Sequence, residues 1–174
     1  MSPRTLSHPR QRGFSITEML LVAAMISVIA GFAVFKMVRG NRNTYRTNSA
    51  VEIAGYLQKA RADSVRRNAK DLGEMAKVKI FNRRLYSIAI DGDGDGNLDI
   101  PLVKGLPEQT GLEINGPFPK NYIFNSQGQT VDTQNNPIAP QPLTVGDHSG
   151  VSAITFADNG KIVVVPAAKL TASN

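Results

Sequence analysis

The sequence contains no cysteine and no tryptophan, and it has only two histidines among its 174 residues. Without cysteine the chain has no disulfide bond, no thiolate metal ligand and no thiol nucleophile. His8 and His148 are too few and too far apart in sequence to form a histidine-based metal cluster. There is also no Walker A motif, nucleophile triad or paired metal and base, so the sequence does not predict an enzyme.

Acidic residues are absent from the first 13 residues, which carry Arg4, Arg10 and Arg12. These three arginines account for half of the formal net charge of +6. The basic excess therefore predicts a leader segment better than a nucleic-acid surface. Proline is absent between Pro9 and Pro101, so one helix can run through that part of the chain.

A long apolar run follows the basic leader. Residues 14–35 carry one charge, Glu18, and as a helix they would span roughly 33 Å, enough for a hydrocarbon core of about 30 Å. A cleaved secretory signal has a shorter apolar core, about 7–15 residues, and no acid at its start. A plain membrane anchor explains the length of the run but not Glu18, because a carboxylate in hydrocarbon is costly and suggests a function.

A third interpretation comes from the residues around the start of the run, Gly13-Phe14-Ser15-Ile16-Thr17-Glu18-Met19-Leu20. They resemble the prepilin motif of type IV pilins and type II secretion pseudopilins. The resemblance implies that a prepilin peptidase cleaves after Gly13 and N-methylates the new terminus, Phe14. It further implies an assembly charge pair, in which the Glu18 carboxylate of one subunit meets the Phe14 amine of a neighbour. Phe35 stands where many major pilins have proline, which favours a minor subunit.

The chain beyond the apolar run predicts a helix and then strands. Residues 40–49 are polar, and they form either a loosened stretch of a long helix or a break. Residues 50–69 have helical periodicity, with an apolar face that predicts packing on a sheet. This face consists of Ala50, Ile53, Ala54, Leu57, Ala60 and Val65.

Strand-like patterns occupy the rest of the chain, which predicts an α+β fold with an antiparallel β-sheet. A hairpin is predicted at Asp158-Asn159-Gly160, and residues 126–149 are predicted to form a long loop or an irregular excursion on the surface. The predicted strands are residues 78–81, 85–90, 111–114, 121–124, 153–156 and 161–165. The predicted domains are a cleaved basic leader (1–13), a hydrophobic membrane or filament-core helix (14–39), the amphipathic second half of the helix (40–70) and an antiparallel β globular domain (71–174).

The segment Ala60–Asn68, with two strands and an Asp-Gly-rich turn after it, resembles minor pseudopilin H and the FimT/FimU-type minor pilins over about the first 100 residues. The resemblance implies a pilin-like fold and a subunit of a type IV pilus or a type II secretion pseudopilus. It implies a single-pass protein of the inner (cytoplasmic) membrane, with the C-terminal domain outside the cytoplasm before assembly. The implied partners are prepilin peptidase, other pilins or pseudopilins in a helical filament, and the inner-membrane assembly platform.

An alternative function follows from the same resemblance, since FimT-type minor pilins can bind DNA in natural transformation. DNA binding requires a basic surface patch. The candidate residues are Arg66, Arg67, Lys70, Lys77, Lys79, Arg83 and Arg84. The C-terminal tail contributes only Lys169, so nucleic acid is not the partner that the sequence favours.

Aspartates at alternating positions form an aspartate loop, residues 91–99, with the spacing of an EF-hand-type calcium loop. The candidate ligands are Asp91, Asp93, Asp95, the Asn97 carbonyl and Asp99. Leu102 stands where that pattern has a bidentate glutamate, so any calcium affinity should be weak, with Kd of roughly 10⁻⁴–10⁻³ M. The alternative is a glycine-rich hairpin turn whose aspartates are solvated or cap backbone amides. Calcium is the only cofactor that the sequence suggests.

Overall fold

The computed structural model describes residues 15–148, 150–157 and 160–166, with side chains described outside 35–41 and 109. The predicted cleavage and methylation positions Gly13 and Phe14 lie outside the described residues. Asp158 and Asn159 of the predicted hairpin lie outside them as well.

One long helix, α1, runs from Ile16 to Arg67 over 52 residues. The polar stretch 40–49 is helical throughout, so the alternative of a true break there is wrong. The chain divides into two compact units, Met1–Asn41 and Arg42–Asn174. The described part of the first unit is the apolar half of α1, and the second unit holds the rest of the helix and all of the described strands.

Nine strands follow in the described residues, and every strand pairing among them is antiparallel. The first sheet has the strand order β3-β2-β1-β5-β6, and the second has the order β4-β7-β8-β9. The α+β class is therefore confirmed, with two sheets where the sequence predicted one. The strands are β1 (Lys77–Ile80), β2 (Leu85–Ala89), β3 (Leu102–Gly105), β4 (Glu113–Asn115), β5 (Lys120–Phe124), β6 (Thr130–Val131), β7 (Leu143–Asp147), β8 (Gly150–Phe156) and β9 (Ile162–Val165).

The predicted helix face lies in the core of the second unit. Ala50, Ile53, Leu57 and Ala60 are fully buried, and they belong to one apolar cluster with residues of both sheets. From the first sheet the cluster includes Val78, Ile80, Tyr86 and Phe124, and from the second it includes Ile114, Leu143, Val145 and Ile154. A single helix face therefore covers two sheets.

Val65 was predicted on this buried face, and that prediction is wrong because its side chain is 45% exposed. The buried stripe continues from Ala60 to Ser64, four residues on, which is the spacing of one helical face. The Ser64 hydroxyl accepts a hydrogen bond from the Ala76 amide at 2.8 Å. A buried polar residue with a backbone partner thus takes the place that an apolar side chain was expected to fill.

The predicted surface loop at 126–149 is also wrong, since it contains β6 and β7. β7 pairs with β4 on one side and β8 on the other, so it is an interior strand of the second sheet. Strand β3 was not predicted either, and β4 begins at Glu113 rather than at Gly111. Four predicted strands match β1, β2, β5 and β9 to within one residue at each end, and that at 153–156 matches the second half of β8.

Candidate functional site

The apolar half of α1 contains one candidate membrane span, Ile16–Val34, with a mean hydropathy of 2.1 and no buried residue. Every side chain from residue 15 to residue 34 is exposed. The segment is long and apolar enough to cross a membrane, and a signal sequence meets the same criteria of length and composition. The exposed apolar surface of this segment is therefore the feature that a proposed function has to explain.

Glu18 is the only charged residue of this span, and it lies in the first turn of α1. A carboxylate there is favoured by the positive end of the helix dipole. Its backbone amide donates to the Ser15 carbonyl at 3.0 Å, while the Ser15 and Thr17 hydroxyls lie 2.7 Å apart. No described cation forms an ion pair with Glu18. The carboxylate is thus at the helix start, where the sequence placed it, and the Phe14 amine expected to meet it is outside the described residues.

The aspartate loop leaves β2 and leads to β3, and its first carboxylate is buried. Asp91 is 2% exposed and accepts hydrogen bonds from the Gly94 amide at 2.6 Å and the Gly96 amide at 3.0 Å. Arg67 approaches the same carboxylate, with its Nε 3.6 Å from Asp91 Oδ2. Burial opposes ionisation, but these amides and the Arg67 charge hold the pKa of Asp91 below its usual range.

Three of the five predicted metal ligands are brought together. One carboxylate oxygen from each of Asp91, Asp93 and Asp95 lies within 4.8 Å of the others, close enough to hold a metal ion. Asp99 instead accepts the Gly92 amide at 2.8 Å, and the Asn97 side-chain amide donates to Asp95 at 3.3 Å. Asp93 accepts the Asp95 amide at 3.2 Å and Asp95 accepts the Asn97 amide at 2.8 Å. The amide-capping interpretation thus describes all four aspartates, while calcium at the loop stays a prediction.

A charge network that the sequence did not indicate attaches this loop to the end of α1. Asp63 is 6% exposed and accepts hydrogen bonds from Arg67 Nη2 at 2.8 Å, Arg66 Nη2 at 3.0 Å and the Asp91 amide at 3.2 Å. Arg67 also donates to the Gly96 carbonyl at 3.1 Å. Burial would raise the pKa of Asp63, but the hydrogen bonds from Arg67, the Asp91 amide and Arg66 lower it below its ordinary value.

These contacts change the predicted basic patch. Arg66 and Arg67 both donate to Asp63, and Arg67 is only 11% exposed. Arg83 pairs with Glu113 at 3.3 Å, and the Lys79 ammonium lies 5.1 Å from the centre of the Phe81 ring. These contacts leave the Arg66 and Arg83 side chains 63% and 69% exposed, so DNA binding stays a prediction.

A second unpredicted group joins α1 to the turn between β7 and β8. Arg46 Nη2 donates to Asp147 Oδ1 at 2.8 Å, and both side chains are 2% exposed. Arg42 Nη1 lies 3.2 Å from His148 Nε2. Arginines that follow an apolar run suggest membrane flanks, and no sequence pattern links them to residues about a hundred positions away. We call Arg42, Arg46, Asp147 and His148 the helix–turn latch.

Comparison with protein-family models, curated proteins and solved structures finds no match for this chain. Function is therefore inferred from the residues and the geometry described above.

Proposed function

We propose that this chain is a minor subunit of a type IV pilus or a type II secretion pseudopilus, made as a membrane-inserted precursor. The observation that carries the proposal is the span Ile16–Val34, whose side chains are all exposed and whose one charge is Glu18. A helix with this much unburied apolar surface requires lipid or other apolar helices around it. Membrane insertion before assembly, and helix packing in a filament after it, supply both environments in turn.

The second unit supports a pilin-like fold. One face of α1 is buried against two antiparallel sheets, which gives this unit its own apolar core. In the proposed topology the unit lies outside the cytoplasm, and the chain crosses the inner membrane once. Prepilin peptidase, sibling subunits and an assembly platform are the proposed partners, and no catalytic role is assigned to the chain.

Processing by a prepilin peptidase tests the proposal. The full chain is co-expressed in membranes with a prepilin peptidase, and the product is examined by intact-mass spectrometry. We expect a mass equal to residues 14–174 plus one methyl group. Gly13→Arg should block processing, because a large side chain replaces the glycine at the cut. Ser15→Ala is the matched control, two residues away, and should be processed normally.

Two outcomes contradict the proposal, and each points to one of the other interpretations. A product that begins beyond residue 34 would show that signal peptidase removes the whole apolar run. An uncleaved chain that stays in the membrane beside an active peptidase would show a plain anchor.

A further inference from the structure

The helix–turn latch holds a stretch of α1 that has little tendency to be helical by itself. Residues 42–49 read Arg-Asn-Thr-Tyr-Arg-Thr-Asn-Ser, and six of these eight are weak helix formers. Asparagine, serine and threonine side chains also compete for backbone hydrogen bonds, which disfavours the helix interior. Since this stretch is nevertheless helical, tertiary contacts must supply the difference.

The contacts that supply it come from the end of β7 and the first residue of the turn that follows it. Arg42 and Arg46 are four residues apart, so their side chains leave the same face of α1. Arg46 reaches Asp147, the last residue of β7, and Arg42 reaches His148, the next residue. Arg46 Nη1 also donates to Asn43 Oδ1 at 3.2 Å, which fixes the guanidinium against its own helix.

The contact between Arg42 and His148 depends on the charge of the imidazole. Arginine carries only donors, so His148 Nε2 must be the acceptor, which requires a neutral ring protonated on Nδ1. Protonation converts Nε2 into a donor and places a third cation beside Arg42 and Arg46. The carboxylate of Asp147, the residue before His148, pairs with Arg46. Protonation of the ring therefore removes the acceptor of Arg42 and adds a positive charge beside two arginines.

We propose that the helix–turn latch is a pH-sensitive device: neutral His148 holds residues 42–49 helical, and protonated His148 releases them. Imidazoles commonly titrate between pH 5 and 8. His8 is the only other histidine in the sequence, and replacing His148 alone distinguishes the two. The inference does not depend on the proposed function, because every group in the helix–turn latch belongs to the second unit.

Hydrogen exchange tests the latch in the full chain, purified in detergent micelles. Amide protection is compared at pH 7.5 and pH 5.5, after correction for intrinsic exchange rates. We expect protection of residues 42–49 to fall about fivefold at the lower pH, the effect of losing one partly exposed charge-assisted hydrogen bond. Residues 53–60, which pack in the core, should not change.

Two variants separate the latch from general acid sensitivity. His148→Gln keeps an acceptor and has no titratable ring, so protection of residues 42–49 should be the same at both pH values. His148→Ala lacks the acceptor and should show low protection at both. The proposal is overturned if the wild type shows no pH response, if His148→Gln responds as the wild type does, or if residues 53–60 lose protection to the same extent.

Discussion

Asp63 is the residue on which the end of α1 and the aspartate loop depend. Its carboxylate receives two guanidinium groups and the amide of Asp91, and the Asp91 carboxylate in turn receives two loop amides. Two buried carboxylates lie close together here, and Arg67, which bonds to Asp63, has its Nε 3.6 Å from Asp91. The spacing of Asp63 from Arg66 and Arg67 is that of helical ion pairs, but no spacing in the sequence links Asp63 to the Asp91 amide 28 positions away.

Acid is expected to loosen this network. The folded-state pKa of both Asp63 and Asp91 lies below the ordinary value, so their contribution to stability is present above about pH 4 and is lost as the pH falls through the folded-state pKa. Asp63→Asn should destabilise the chain by about 1–3 kcal/mol at pH 7, since two guanidinium groups lose their carboxylate. It should also flatten the fall in stability between pH 5 and pH 2.

Pulse proteolysis across a urea series, with the full chain in detergent, measures both effects. Asp71→Asn is the matched control, because this aspartate is exposed in the segment after α1. Stability curves of wild type and Asp63→Asn that remain parallel from pH 7 to pH 2 would contradict the role given to Asp63.

At the scale of elements, the sequence predicted the helix and the strands that have a clear local pattern. It missed strands that are stabilised mainly by pairing with neighbours distant in sequence. Strand-forming residues in Lys77–Ile80 and Leu85–Ala89 marked β1 and β2, and helical periodicity marked the buried face from Ala50 to Ala60. β7 was missed because its five residues include Gly146 and follow the proline-rich stretch 137–142. Its neighbours β4 and β8 stabilise it, and they are distant in sequence.

In the aspartate loop, too, the sequence predicted the arrangement that follows from residue spacing and missed the contacts made by other parts of the fold. Spacing brought Asp91, Asp93 and Asp95 together as the sequence predicted. It did not indicate that Arg67 and two amides would already offset the charge of Asp91, because those groups come from the helix end and from the loop backbone.

Calcium binding by this loop can be tested directly. If calcium binds with the weak affinity expected of the pattern, a concentration ten times Kd should stabilise the fold by about 1.4 kcal/mol. Thermal unfolding in millimolar calcium should therefore shift upward relative to chelator, and Asp95→Asn should remove the shift. Asp132→Asn is the control, since Asp132 caps the amides of a different turn. No shift in the wild type would leave amide capping as the whole function of the loop.

For the whole molecule, one helix serves two different surroundings. One face of residues 50–60 of α1 is buried inside the second unit, while the span Ile16–Val34 is exposed along its full length. The sequence predicted both halves, because each has its own hydrophobic pattern. No residue of the span is buried in the single chain, so we expect lipid or other apolar helices to cover it.

Glu18 should decide whether that half assembles with other subunits. Glu18→Ala leaves Gly13 and the cleavage site unchanged, so processing should continue. Incorporation into filaments should fall sharply, because the Phe14 amine of a neighbour would then be unpaired in apolar surroundings, at a cost of several kcal/mol. The measurement is the fraction of processed subunit in purified filaments relative to membranes. Glu18→Asp, which keeps the charge, should retain part of the incorporation, and Thr17→Ala should retain nearly all of it. Wild-type incorporation of Glu18→Ala would show that the charge pair does not drive assembly, since processing is measured in the same samples.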